Sequence, residues 1–275
     1  MNIKRLFLVI FCALLVIAAS AQEKHFALTI LHTNDTHSQL EPCSYKQWTD
    51  VGGVLRRSAF IDEVRATDTC VLLLDAGDFS QGTPYFNMFK GRAEVSLMNI
   101  LGYDASTLGN HEFDNGLDTL AARLKEAKFP VVCANYKFKS KALQKYVKPY
   151  TVIEKCGIRI GIFGLSPDVT GLVSASVTRG AYYQDPIKSA RYAIKQLKKQ
   201  KCDMIICLSH LGYYPEKPTQ TICDKELAKQ LGDDIDIIIG GHTHTLLEKA
   251  DFVNGTPIVQ TGCKGINVGK INFSK

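Results

Sequence analysis

The sequence lacks the features that mark several common classes of protein. Its 33 Lys and Arg residues exceed its 27 Asp and Glu residues by six, and no long basic run occurs. The charge therefore gives little support for a nucleic-acid partner or a membrane-surface function. Internal repeats, low-complexity tracts and Pro/Gly-rich linkers are also absent. Apolar residues make up 45% of the 275 residues and charged residues 22%, which excludes a disordered or fibrous chain.

Beyond the first 21 residues, no apolar run is long enough to span a bilayer. Near the start, Lys4 and Arg5 precede an apolar stretch at 6–19, which ends in Ala19-Ser20-Ala21. A spanning helix needs about 20 apolar residues. We therefore expect residues 1–21 to be a secretory signal peptide cleaved before Gln22, and residues 22–275 to form one domain. The expected location is periplasmic or extracellular, without a stable membrane span.

No Cys-x-x-Cys pair occurs, so a structural zinc knot or a redox motif is not indicated. Removal of the signal peptide would leave eight cysteines, and an even number in an exported chain permits disulfides. Cys70, Cys133 and Cys207 lie in apolar, strand-like runs, where cysteine commonly acts as a small buried hydrophobe. The sequence does not assign any pairing.

Short apolar runs alternate with segments of helical period, which predicts an α/β fold. The predicted strands are 26–31, 70–74, 131–134, 158–163, 204–208, 235–239 and 258–260. The predicted helices are 54–66, 117–127, 187–199 and 224–231. Several strand runs are continuously apolar, which favours strands buried on both faces. Residues 253–273 look entirely strand-like, with Asn254-Gly255 as a hairpin turn, so we expect mixed sheets.

Asp, Asn or His residues follow four of these predicted strands and also a shorter apolar patch at 105–108. Sheets of this type place ligand sites at the carboxyl ends of their strands. The candidate metal ligands at these ends are Asp35, His37, Asp78, Asn110, His210, His242 and His244. We expect Asp35 and His37 to point the same way from an extended segment, and likewise His242 and His244.

Seven nitrogen and oxygen donors are too many for one tetrahedral zinc ion. They suit two divalent cations that share one carboxylate, and Asp78 stands alone between the other groups as the natural bridge. Two dications against two carboxylates leave a positive centre, which suits an anionic substrate such as phosphate. Mixed His, Asp and Asn ligands fit Zn, Mn or Fe.

His111 and Asp114 are candidates for a catalytic pair. His111 is adjacent to Asn110 and is expected to face the substrate instead of the metal. Asp114 follows three residues later and can reach His111 across one turn. A carboxylate beside an imidazole favours the protonated ring, which is the form that a general acid needs.

Taken in order, these segments resemble the signature blocks of the calcineurin-like metallophosphoesterases. The blocks are Asn34-Asp35-Thr36-His37, Gly77-Asp78, Gly109-Asn110-His111-Glu112, His210 and Gly241-His242-Thr243-His244. The stretches LHTNDTHS, GDFSQGTPYF and GNHEFDNG resemble the 5'-nucleotidase branch, and the likeness extends from residue 28 to about residue 270.

The resemblance implies a four-layer α/β/β/α sandwich with two mixed sheets and a di-metal site. By analogy, one cation would be held by Asp35, His37, Asp78 and His244. The other would be held by Asp78, Asn110, His210 and His242. The pair His111 and Asp114 would be the catalytic dyad.

The function expected from this resemblance is an exported hydrolase of phosphate monoesters, with nucleotides as the leading substrates, metal-activated water and His111 as general acid. Exported 5'-nucleotidases of this branch usually carry a second, C-terminal domain that binds the nucleoside, and this sequence ends right after the phosphoesterase blocks. A separate chain could supply that domain. Two alternatives stay open: a phosphodiesterase or pyrophosphatase acting on cyclic nucleotides or nucleotide sugars, and a non-catalytic binding module.

Overall fold

The structure is a computed structural model that describes residues 27–216 and 221–274. The predicted signal peptide lies outside the described residues and stays a prediction. In the part that is described, no helix combines the length and the apolar character needed to cross a membrane.

The chain alternates strands with helices for most of its length. The strands are β1 Ala27–Thr33, β2 Cys43–Tyr45, β3 Trp48–Val51, β4 Val71–Asp75, β5 Ala105–Thr107, β6 Val131–Val132, β7 Tyr136–Phe138, β8 Val147–Lys148, β9 Tyr150–Lys155, β10 Ile158–Leu165, β11 Ala181–Tyr183, β12 Met204–Ser209, β13 Ile237–Gly240, β14 Asp251–Val253, β15 Thr256–Val259 and β16 Gly269–Ser274. The α-helices are α1 Val54–Thr67, α2 Pro84–Phe89, α3 Arg92–Leu101, α4 Leu117–Glu126, α5 Lys141–Tyr146, α6 Pro186–Lys199 and α7 Asp224–Leu231.

Two six-stranded sheets form the centre of the fold. The first has the order β16-β1-β4-β5-β6-β8, and the second has the order β14-β15-β13-β12-β10-β9. In the first sheet only β16 runs antiparallel to its neighbour, and in the second the antiparallel strands are β14 and β9 at the two edges. Both sheets are mixed, as the sequence predicts.

Three apolar clusters fill the spaces between four layers. Within β4, Leu72 and Leu74 face the second sheet, whereas Leu73 packs with the outer helices α1, α3 and α4. This alternation follows from the two-residue period of a strand that is buried on both faces. The third cluster joins the second sheet to α6 and α7. The α/β/β/α sandwich that the resemblance implies is therefore confirmed.

Close contact between the two sheets depends on one glycine. A Cβ on Gly164 of β10 would overlap the backbone oxygen of Val132 and the hydroxyl of Thr107, both in the first sheet. At this point the two sheets leave no room for a side chain.

The parallel strands end level with one another at one edge of each sheet. Thr33, the last residue of β1, pairs with Asp75 of β4, and Asp75 pairs with Ser106 of β5. In the second sheet, Ser209 of β12 pairs with Gly240 of β13. The polar segments that follow these strands consequently begin at the same edge of the sandwich.

The strand-like reading of residues 253–273 is only partly right. Asn254 and Gly255 do form the hairpin turn between β14 and β15, with φ of 50° and 81°. Residues 260–268 form a loop instead, whose backbone contacts the first polar segment through Lys264 N and the carbonyl of Asp35 at 2.6 Å. The sequence analysis did not predict helices α2, α3 and α5. Helix α2 has no buried residue, so its sequence shows no helical period of apolar residues.

One disulfide links the two sheets. Cys70 lies just before β4 and is bonded to Cys156 in the turn between β9 and β10, with the Cα atoms 6.1 Å apart. The sequence left this pairing open, because two cysteines that lie 86 residues apart give no local signal. The other six cysteines in the described part of the chain are free.

We expect the Cys70→Ser variant to lose about 2–4 kcal/mol of unfolding free energy, because the unfolded chain regains the entropy of an open loop. Urea denaturation without reductant would measure the difference. Cys43→Ser, which removes a half-buried free thiol, serves as the control. An unchanged denaturation midpoint for the wild-type protein after addition of a reductant would contradict the proposed stabilisation.

Candidate active site

The structure brings the sequence-predicted donors together at one edge of the sandwich. Five of the seven residues adopt a left-handed backbone conformation, which residues other than glycine rarely adopt. Their φ angles lie between 48° and 76°, and the residues are Asp35, His37, Asp78, His242 and His244. Such conformations cost roughly 1–3 kcal/mol each and persist where the surroundings enforce them. The extended segments expected around Asp35 and around His242 are therefore wrong, although the side chains still converge.

The first group of donors contains Asp35, His37 and His244. The Nε2 atoms of the two imidazoles lie 2.9 Å apart. Each also approaches Oδ1 of Asp35, at 3.3 Å for His244 and 3.8 Å for His37. Two ring nitrogens and a buried carboxylate oxygen thus point at a common volume, which is a geometry that suits a divalent cation.

The second group contains Asp78, His210 and His242, whose donor atoms lie within 4.8 Å of one another. Nε2 of His210 is 3.1 Å from Oδ2 of Asp78 and 3.6 Å from Oδ1 of Asp35. His242 and His244 therefore belong to different groups and do not point the same way. Asp78 also falls in a cluster with His37 and His111, so it lies beside a donor of the first group, and its role as a bridge between two cations stays a prediction.

Oδ1 of Asn110 and Nε2 of His210 are among the buried atoms at this edge that make no hydrogen bond to any described residue. Buried polar atoms are nearly always satisfied by protein, water or an ion. An oxygen and a nitrogen left free among carboxylates and imidazoles fit a cation site. The donor set is chemically suited to two divalent metals, and the assignment of each ligand stays a prediction.

The carboxylate of Asp78 is buried among imidazole rings, and their charges determine its pKa. Burial by itself raises the pKa of Asp78, but the neighbouring imidazole of His210, with those of His37 and His111, lowers it below the usual range. Burial and the charge of His210 lower the pKa of His242 to about 4, so its ring is neutral at physiological pH. A neutral imidazole and an ionised carboxylate are the forms that bind metals.

His111 and Asp114 form the pair that the sequence predicts. They lie three residues apart around the short 3-10 helix His111–Phe113, and Nδ1 of His111 is 2.7 Å from Oδ2 of Asp114. Burial opposes protonation of this imidazole, but the hydrogen bond to Asp114 and the nearby carboxylates outweigh it and raise the pKa of His111. Its ring centroid is 5.3 Å from that of His37, so the pair borders the first group of donors.

Glu112 has a structural role that the sequence left open. Its buried carboxylate accepts hydrogen bonds from the backbone N–H groups of Asp78, Ser80 and Gly109, at 2.7–3.1 Å. Gly109 is needed there, because a Cβ on it would overlap the side chain of Asp78. Glu112 thus fixes the segment that carries Asp78 against the segment that carries Asn110.

Two amide side chains, which sequence reasoning missed, hold the remaining segments in place. Nδ2 of Asn34 donates to Oδ2 of Asp35 and to the carbonyl of Gly262, both at 2.7 Å. Nε2 of Gln260 donates to the carbonyl of Gly241 at 2.6 Å, and its Oε1 accepts from Thr245 N. Asn34 lies in one of the signature blocks, so its role could have been recognised from the sequence. Gln260 lies outside these blocks, and no local sequence pattern indicates its role.

Comparisons with known proteins identify the family of the chain. The calcineurin-like phosphoesterase family model matches residues 28–246. The chain is 39% identical to a snake venom 5'-nucleotidase of Gloydius brevicauda over 95% of its own length and 47% of that protein.

Solved structures give the same result for the fold. A 5'-nucleotidase precursor from Thermus thermophilus superposes with a TM-score of 0.80 at 37% identity, covering 90% of this chain and 51% of that one. The calcineurin-like phosphoesterase YfkN from Bacillus subtilis superposes with a TM-score of 0.78 at 30% identity, covering 91% and 85%. The chain spans about half the length of the curated 5'-nucleotidase that it matches. From the matched family model and these relatives, the chain belongs to the calcineurin-like phosphoesterase family.

Proposed function

We propose that this protein hydrolyses phosphate monoesters, with nucleotides as its main substrates, in the periplasm or outside the cell. One observation carries the proposal: two adjacent groups of metal donors lie at one edge of the sandwich, and a His–Asp pair borders them. The preference for nucleotides is supported by the similarity to 5'-nucleotidases. A separate chain that contributes a nucleoside-binding domain is compatible with it.

The two groups of donors provide for two divalent cations. Asp35, His37 and His244 would hold one, Asn110, His210 and His242 the other, and Asp78 both. When bound, such a pair neutralises phosphate charge and activates water for attack at phosphorus. The donor set fits Zn, Mn or Fe.

The protein's own residues then supply orientation and a proton. Asp114 accepts a hydrogen bond from Nδ1 of His111 and so directs the other ring nitrogen, Nε2, away from itself. From Nε2 the protonated imidazole can donate to the leaving oxygen of the ester as the bond to phosphorus breaks. The raised pKa of His111 keeps more of the ring in the protonated form.

The Asp78→Asn variant is expected to lose metal-dependent hydrolysis, because one shared carboxylate serves both groups. The loss should exceed the roughly 10- to 100-fold that removal of an outer hydrogen-bond partner of a metal ligand costs. Turnover of adenosine monophosphate and bound metal would be measured before and after chelation and metal addition. Asp62→Asn, at an exposed carboxylate of α1, is the control. Activity that survives both Asp78→Asn and chelation would exclude the di-metal mechanism.

The His111→Asn variant tests the role of the general acid. Loss of a positioned proton donor should lower kcat by about 10²–10⁴-fold for a nucleoside monophosphate, whose alkoxide is a poor leaving group. For 4-nitrophenyl phosphate the loss should be much smaller, since nitrophenolate departs without protonation. Steady-state kinetics on both esters, with Asp114→Asn as a milder variant in the same direction, would measure the difference. Equal losses on the two esters would remove the proton-donor role.

A further inference from the structure

A small cavity lies next to the segment that carries the first group of donors. Thr36 and Ser38, on either side of His37, line it together with residues of α1 and α3. The space open to the centre of a water molecule is about 10 Å³. This is at the lower end of the roughly 10–15 Å³ that one buried water needs, so the cavity is far too small for a substrate.

Three side chains that line this cavity are buried and have unpaired polar atoms. Arg57 of α1, Glu94 of α3 and Ser38 are each at most 7% exposed. In the ranges 27–216 and 221–274, Nε and Nη1 of Arg57, both carboxylate oxygens of Glu94 and Oγ of Ser38 make no hydrogen bond. A buried charge without a partner is costly in a protein. The opposite charges of Arg57 and Glu94 therefore need a group that bridges them.

The carboxylate of Asp75 lines the same cavity but already has its partners. It accepts three hydrogen bonds, at 2.7–3.1 Å, from neighbouring hydroxyl and backbone N–H groups. Glu94, whose two oxygens accept none, is consequently the carboxylate available to Arg57.

Water fits this set of groups better than an ion of either sign does. A cation in the cavity would lie beside the guanidinium of Arg57, and an anion would lie beside the carboxylate of Glu94. A water molecule can accept a hydrogen bond from Arg57 and donate one to Glu94, and the hydroxyl of Ser38 can act as donor or acceptor. Buried waters typically make about three hydrogen bonds to groups of this kind.

The guanidinium of Arg57 lies between two loops that surround the first group of donors. A Cβ on Gly265 would overlap Nη1 of Arg57, and Cγ2 of Thr36 borders the same point. The loop of Gly265 is joined to the first segment by the hydrogen bond from Lys264 N to the carbonyl of Asp35. Both loops thus pack on Arg57, so a shift of this guanidinium would disturb the backbone that carries Asp35.

The segment around His37 needs such support because its backbone is strained. His37 and Ser38 have φ of 48° and 50°, and left-handed conformations are unfavourable for residues other than glycine. The backbone N–H groups of His37 and Ser38 donate to the carbonyls of Asp78 and Phe79, both at 3.0 Å. These bonds hold the backbone of the segment, and the side chain of Ser38 borders the cavity, where a bridging water would hold it as well.

We propose that Arg57, Glu94 and Ser38 bind one buried water, and that this water-bridged ion pair positions His37 for metal binding. Arg57 and Glu94 are positioning residues, because they act through residues 36–38 and are not among the proposed metal ligands. The inference rests on the proposed function, since it concerns the metal-binding role given to His37.

Calorimetric titration of the metal-free protein with Mn²⁺ tests the positioning role. Ser38→Ala removes the hydroxyl but leaves the ion pair. It should weaken one of two Mn²⁺-binding steps by about tenfold, at the lower end of the effect of losing an outer hydrogen-bond partner of a metal ligand. His244→Ala, which removes a donor of the first group, identifies that step. Arg56→Met is the matched control, because Arg56 is the exposed neighbour of Arg57 on α1, and it should leave both steps unchanged. Equal affinities of Ser38→Ala and the wild type would overturn the positioning role.

Two single variants and their combination test the ion pair. Arg57→Met and Glu94→Leu each leave one buried charge uncompensated, so each should lower the midpoint of urea denaturation. The double variant should regain the midpoint, because apolar groups of similar volume can replace a buried ion pair without loss of stability. Additive losses in the double variant would overturn the ion pair.

Metal affinity of the same double variant separates positioning from stability. The double variant should still bind Mn²⁺ about tenfold more weakly than the wild type at the first group, because no charged pair then holds the water against Ser38. Recovery of the affinity together with the denaturation midpoint would leave the pair with a structural role only and overturn the positioning of His37.

A crystal structure of the full chain would show the water directly. We expect electron density for one water at hydrogen-bond distance, about 2.7–3.2 Å, from Arg57, Glu94 and Ser38. A direct ion pair between Arg57 and Glu94 without a water would overturn the proposal, and so would a wild-type protein that binds no Mn²⁺. None of these measurements uses catalysis. A chain that binds Mn²⁺ and hydrolyses no ester would therefore refute the proposed function, while the water and its effect on His37 would still be decided.

Discussion

The buried carboxylate of Asp78 is the constraint on which the candidate site depends. An ionised carboxyl group inside a protein is costly unless opposite charges and hydrogen bonds compensate for its lost hydration. Here His210 lies 3.1 Å from one oxygen, and the backbone N–H of His111 donates to the other at 2.8 Å. Those partners come from different sheets, so the charge is stabilised only when the sandwich has closed. Two divalent cations would supply this positive charge in place of the proton on His210, because an imidazole that binds a metal is neutral.

Closure of the sandwich and geometry of the site are therefore coupled. The two sheets are in close contact at Gly164, where no side chain would fit, and the parallel strands of each sheet end at the same level. The segments beyond the strands then have little freedom, and five of the donors are held in left-handed conformations. Glu112, Asn34 and Gln260 provide the hydrogen bonds that offset this strain. None of the three is among the proposed metal ligands, yet each fixes a segment that carries one.

Much of this arrangement was predictable because the chemistry depends on residue type and on strand ends. Continuously apolar runs such as that of β4 indicated strands buried on both faces. A His, Asp or Asn after four of the predicted strands and after the short patch at 105–108 indicated one site. What failed was local conformation. An extended backbone at Asp35 and at His242 was the natural expectation, but both residues have positive φ, since tertiary hydrogen bonds override local preference. The Cys70–Cys156 disulfide and the role of Gln260 depend on long-range contacts that leave no local pattern.

The same contrast separates the reacting centre from the exposed helix α2. Asp35, Asp78 and His210 are completely or almost completely buried, so a change at any of them disturbs packing, charge and metal binding together. Helix α2 presents Met88 and Phe89 to solvent and contributes no buried residue, so its side chains can change without cost to the core. A fold of this kind can keep one chemistry and vary the group that it recognises, because function is located in exposed segments on a rigid scaffold. Helix α2 borders a cavity that Asp114 also lines, so this exposed surface lies close to the proposed catalytic dyad.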